Sequence, residues 1–172
     1  AAMIGAFSER TGGLLRADDL AGYRAGFEAP LRMTFAGREI LGQSAWTQAP
    51  VLMQALGMLE PMDLRGLGHN SARYIHAVTE ALKLTFADRE RFYGDARESA
   101  PRMGELLAPA DVRERAALIR MDRAAPEQPA PGDPLRRGSV KPPASVRAGE
   151  SGATVAADGT THIAAIDRDG NM

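Results

Sequence analysis

A chain of 172 residues fits one ordinary domain, long enough to bury roughly 70% of the surface that its unfolded form exposes. Lys plus Arg number 21 and Asp plus Glu 22, a formal charge of −1 that lacks the basic excess nucleic-acid binding draws on. Cysteine is absent, which excludes disulfides, thiolate zinc sites and a cysteine nucleophile, and three histidines (His69, His76, His162) are too few for a multi-histidine metal site. No metal or cofactor is expected, and no nucleic-acid partner.

No stretch of the sequence reaches the roughly 18 apolar residues that a membrane-spanning helix needs. Ala1–Phe7 lacks the basic start of a signal peptide and reads as the middle of a helix, so the chain reads as a piece of a longer one, with any signal peptide before Ala1. The compartment, periplasm or cytosol, is left open.

Met3, Ile4 and Phe7 recur at helical spacing, and Gly12-Gly13 ends that helix. Asp18 and Asp19 suit the cap of a short helix running to Tyr23. Leu31, Met33 and Phe35 alternate with polar residues, Ala36-Gly37 reads as a turn, and Arg38–Leu41 returns, so a hairpin is expected over 30–41. A polar loop with the single tryptophan, Trp46, then leads into a helix whose expected apolar stripe is Val51, Leu52, Ala55, Leu56 and Leu59. Trp46 reads either as a packing aromatic or as part of a pocket-lining loop.

Asn70 or Ser71 is expected to cap the clearest helix, over 72–93, before Gly94-Asp95 ends it. Its apolar face is read as Tyr74, Ile75, Val78, Ala81, Leu82, Thr85 and Phe86, with Arg73, Glu80, Lys83, Asp88 and Glu90 on a solvated side. A further helix is expected from Pro109 towards Met121. From 122 to 159 prolines alternate with Gly, Ala, Ser and Arg, the composition of a flexible linker. Thr160–Asp167 then reads as an abrupt strand and Arg168–Asn171 as a turn. Three parts follow: a helical region with a hairpin over 1–121, the linker over 122–159, and a new segment over 160–172.

No phosphate-binding glycine loop, Gly-x-Ser-x-Gly elbow or His-Glu-x-x-His helix is present. One arrangement carries chemistry: a linker ending in Asp158-Gly159, followed at once by a threonine that opens a strand. A hydroxyl at Thr160 that attacked the Gly159 carbonyl would, after hydrolysis, leave an N-terminal threonine. Its α-amine, with an unperturbed pKa of about 7.7–8.0, is a base matched to neutral pH.

Gly12-Gly13-Leu14-Leu15 with Asp18–Tyr23, Leu56–Glu60 with Asp63-Leu64, Glu80–Leu84 with Phe86-Ala87-Asp88-Arg89 and Tyr93-Gly94-Asp95, and Thr160-Thr161-His162 with Asp167 and Asp169-Gly170-Asn171 occur in that order. Together they resemble the γ-glutamyltranspeptidase family of N-terminal-nucleophile hydrolases. The resemblance implies an α+β fold, part of an αββα sandwich, to which this chain supplies mostly helices, a hairpin and a C-terminal core strand. It implies self-cleavage between Gly159 and Thr160, with Thr160 as the nucleophile that accepts a γ-glutamyl group and Thr161 and His162 as neighbouring motif residues without a separate role. The implied partners are a γ-glutamyl or other small amide substrate, an amino-acid, peptide or water acceptor, and the rest of its own large and small subunits. The chain alone, unprocessed, is expected to be inactive. Ser44–Pro50 departs from the proline-serine-glycine run of many members, which leaves two alternatives: an acylase or amidohydrolase with another amide substrate, or a degenerate, non-processing member that serves as a binding module.

Overall fold

A computed structural model describes residues 1–94, 102–134 and 167–169. The chain divides into two units, Ala1–Val140 and Lys141–Met172.

In the first unit, helix α1 (Ala2–Arg10) packs against the short helix α2 (Ala17–Gly22). Gly5 permits the approach, since a Cβ there would lie 2.6 Å from the Ala17 amide nitrogen. The Arg16 amide donates to the Asp19 carboxylate at 2.7 Å and so caps α2 from its third residue. Strands β1 (Leu31–Phe35) and β2 (Arg38–Gly42) form an antiparallel hairpin with Leu31 opposite Gly42 and Phe35 opposite Arg38. Ala36 and Gly37 both take positive φ, 49° and 74°, the backbone a two-residue turn between right-twisted strands requires.

Helix α3 (Ala49–Leu59) opens with Pro50 in its first turn, where proline's missing N–H costs nothing. A short α4 (Leu64–Leu67) follows, capped by Asp63, whose carboxylate accepts from the Gly66 amide at 2.9 Å. Ser71 caps the long α5 (Ala72–Phe92), its hydroxyl accepting from the Tyr74 amide at 3.1 Å. A helical turn over 102–106 precedes α6 (Pro109–Ala116), which stops short of the expected Met121.

The core lies where α3, α5 and α6 meet, around Met58, Leu59, Ala77, Ala81, Leu84 and Val112. A second cluster joins Ala45, Phe92, Met103 and Leu106 and takes the half-buried Leu31 of the hairpin. Two expected faces are corrected. On α3, Leu52 is exposed and the buried face holds Met53, Gln54 and Met58 in its place. On α5, Ile75 and Phe86 are exposed, whereas Glu80 and Asp88, expected in solvent, are buried. The helix is turned because its small residues, Ala77, Ala81 and Ala87, admit close packing that the larger side chains would block.

Residues 122–134, of linker composition, lie along α5 and are held there by hydrogen bonds described below. The remainder of the expected linker, 135–159, and the expected core strand from Thr160 fall outside the described residues. In the second unit, Arg168 and Asp169 form a turn in which the Asp169 amide donates to the Asp167 carboxylate at 2.9 Å.

Candidate functional site

Of the residues singled out for function, Gly159, Thr160, Thr161 and His162 lie outside the described residues. Trp46 is described. Its indole is 55% exposed, yet its N–H donates to Glu28 at 2.6 Å. The neighbouring Ala45 is buried in the second apolar cluster, so the loop stands on a fixed base. With Gln48, Arg89, Glu90 and Tyr93, Trp46 borders an open hollow of about 320 Å³. The Tyr93 hydroxyl is buried without a hydrogen-bond partner among the described residues. Burial, together with the negative charge of Asp88, pushes its pKa well above the usual phenol value.

The most tightly built polar cluster is one that residue patterns did not single out for chemistry. Asp88 is fully buried. Its Oδ2 accepts from the Gln54 side-chain amide at 2.6 Å, and its Oδ1 from Arg115 Nη2 at 3.0 Å and the Gly132 amide at 2.6 Å. Arg115, 4% exposed, also donates to the Leu84 and Ala130 carbonyls at 2.9 and 3.0 Å. One carboxylate thus ties together α3, α5, α6 and the segment 130–132. Burial raises the Asp88 pKa, and the Arg115 guanidinium, the Gly132 N–H and the Gln54 amide pull against that rise. Arg115 divides its donors between this carboxylate and two main-chain carbonyls, so the arrangement is that of a structural anchor. Gln54 Oε1 and Arg115 Nε are buried there without a hydrogen-bond partner among the described residues.

Eight residues earlier on α5, Glu80 repeats the pattern. It pairs with Lys83 at 2.6 Å and accepts from the Ala125 amide at 3.0 Å. Burial alone would raise its pKa, but Lys83 and the Ala125 N–H prevail and hold it below the ordinary glutamate value. His76, read as a structural or surface histidine, has its Nε2 2.8 Å from the Arg120 carbonyl oxygen. The signal that could have found Asp88 was its place in the Phe-Ala-Asp-Arg motif. Its arginine partner stands 27 residues away, however, and nothing local announces it.

Among the described residues no group of three or more His, Asp or Glu is placed to hold a metal ion, and no helix is long and apolar enough to cross a membrane.

Comparison with known proteins places these features in a family. The family model for gamma-glutamyltranspeptidase matches residues 1–172. The chain is 37% identical over 114 residues to the acylase ACY 1 proenzyme of Pseudomonas sp. strain SE83, which covers 66% of this chain and 20% of that protein. It is 31% identical over 162 residues to the glutathione hydrolase proenzyme of Pseudomonas aeruginosa, covering 92% of this chain and 25% of that one. The crystal structure of cephalosporin acylase from Bacillus halodurans superposes on 76% of this chain and 24% of its own, with a TM-score of 0.67 at 26% identity. The chain spans a fifth to a quarter of the length of these curated relatives. Its helices and hairpin are an α+β portion of the fold shared by γ-glutamyltranspeptidase and acylase structures. A match that runs from Ala1 to Met172, through the Gly159-Thr160-Thr161 segment, leaves one conclusion: the chain belongs to the γ-glutamyltranspeptidase family.

Proposed function

We propose that the protein carrying this chain cleaves small amides of the γ-glutamyl class by covalent catalysis, with Thr160 as its nucleophile. The observation that carries this reading is the family match extending across the Gly159–Thr160 junction, together with relatives named as proenzymes. In the maturation step the Thr160 hydroxyl oxygen attacks the Gly159 carbonyl carbon. The Gly159 C–N bond breaks and an ester forms. Water then hydrolyses the ester, which leaves a Gly159 carboxylate and a free α-amine on Thr160. In turnover that amine takes the hydroxyl proton as Oγ attacks the substrate amide, and returns it to the departing amine. Water or an acceptor amine releases the acyl group. Trp46 is placed in this reading as part of a pocket loop, its pinned indole offering a flat apolar wall.

A second reading keeps the nucleophile and changes the acyl group. The 37% identity to an acylase, above that to the glutathione hydrolase, favours it. Intact mass and N-terminal sequencing of the full-length protein test both. A new chain beginning Thr-Thr-His, absent in Thr160→Ala, is the expected result. Hydrolysis of a γ-glutamyl anilide by the processed enzyme then separates the first reading from the second. A chain that remains whole after days at neutral pH would overturn both and favour a non-processing binding module.

A further inference from the structure

Helix α5 carries a polar stripe, His76, Glu80 and Lys83 at i, i+4 and i+7, continued to one side by Asp88 five residues on. Each member meets the strap of residues 120–132 running alongside. His76 meets the Arg120 carbonyl and Glu80 the Ala125 amide. Lys83 Nζ donates to the Ala125 carbonyl at 3.0 Å, and Asp88 accepts from the Gly132 amide. Arg115 extends the stripe to the Ala130 carbonyl, and the Gln128 side chain donates to the Lys83 carbonyl at 3.2 Å. Of these six contacts five use main-chain atoms of the strap, and only Gln128 contributes a side chain. Large apolar residues do not secure it: residues 121–124 and 126–128 are exposed, and the strap's one buried residue is Gly132.

We propose that this stripe is a surface that reads polypeptide main chain, occupied in cis by residues 120–132, and that the strap is a latch that leaves α5 as a unit while the helices stay folded. Two features require it. Recognition lies on the helices, because N–H and C=O groups recur along any chain while the carboxylates and Lys83 of α5 and Arg115 of α6 are fixed in place. The hold on the strap is polar, whereas the α3–α5–α6 core also has an apolar cluster to which residues 120–132 do not contribute; a segment with few buried apolar contacts opens below the free energy of global unfolding. The inference does not depend on Thr160 being a nucleophile.

Hydrogen–deuterium exchange of the full-length protein tests it, read on peptides covering 121–127, 128–134 and the α5 interior 77–87. Asp88→Asn at one end and Glu80→Gln at the other are each expected to raise exchange at least tenfold at both strap peptides, with the α5 peptide rising far less. Replacing the exposed strap side chains Arg123 and Glu127 by alanine is expected to change neither. If Asp88→Asn does not fold, Glu80→Gln read at 128–134 decides alone. An effect confined to the peptide next to each substitution would overturn the latch, as would exchange of 77–87 rising in step. Loosening in the Arg123/Glu127 variant would overturn backbone reading.

Discussion

Helices α1 and α5 both present an apolar face, and the two faces meet different fates. On α1, Met3, Ile4 and Phe7 are all exposed, Gly5 is the sole buried residue, and α2 is the neighbour it packs against. Leu14, Tyr23 and Phe27 are exposed as well. On α5, Ala77, Ala81 and Leu84 are buried between α3 and α6, and the core excludes water so completely that Asp88 beside it has no solvent contact. An apolar stripe states which face of a helix gains from burial. The gain is realised only where a second apolar face closes over it, and only there do charged groups acquire fixed partners. Residues 1–28 contribute nothing to either core cluster, so they and the α3–α5–α6 assembly should respond very differently to substitution.

The sharpest test of that contrast is Asp88→Ala. It leaves Arg115 buried beside an empty position, at a cost of about 3–5 kcal/mol, to be read from urea unfolding. Met58→Ala opens a cavity in the fully buried centre of the core and is expected to cost about 2–5 kcal/mol in the same measurement. Equal losses for Met58→Ala and for Phe7→Ala would erase the distinction between the two regions. Removing the α5 cap with Ser71→Ala should cost about 1 kcal/mol, since the Tyr74 N–H loses its acceptor.

The buried carboxylates Glu80 and Asp88 sharpen the comparison through pH, with opposite signs. Glu80 has a lowered pKa in the fold. Its contribution is complete above the ordinary value of 4.5 and disappears as pH falls through the folded value. Asp88 has a raised pKa, so the folded state binds its proton more readily than the unfolded chain does, and its contribution is lost as pH rises through the folded value. Stability against pH between 3 and 6 should therefore flatten on its acid side in Glu80→Gln, a change that Asp88→Asn does not produce. The smallest effect belongs to the exposed end: Phe27→Ser should change stability by no more than about 0.5 kcal/mol.

Much of this was legible locally. The Ala36-Gly37 turn, the Ser71 cap and the alternating Leu31-Met33-Phe35 each depend on contacts within a few residues, and composition and spacing carry such information. The orientation of α5 was not legible. A polar stripe looks the same in a sequence whether water or another segment covers it. The segment that covers it, 120–132, is poor in large apolar residues because it binds through its backbone, so it reads as linker. Likewise the ordered motifs around Thr160 pointed to the family by themselves, whereas the Asp88–Arg115–Gln54 cluster joins residues 27 and 34 positions apart.

The sequence by itself determined the existence of α1, α2, α3, α5 and α6, the hairpin and its turn, the family, and the threonine on which a function is proposed, because these rest on local geometry and on motif order. Tertiary structure alone decided which face of α3 and α5 is buried, that two carboxylates lie out of solvent with assigned donors, and that a stretch of linker composition is a docked strap. Those outcomes depend on which surfaces meet across long separations, where desolvation makes an unpaired charge costly and thereby selects its partners.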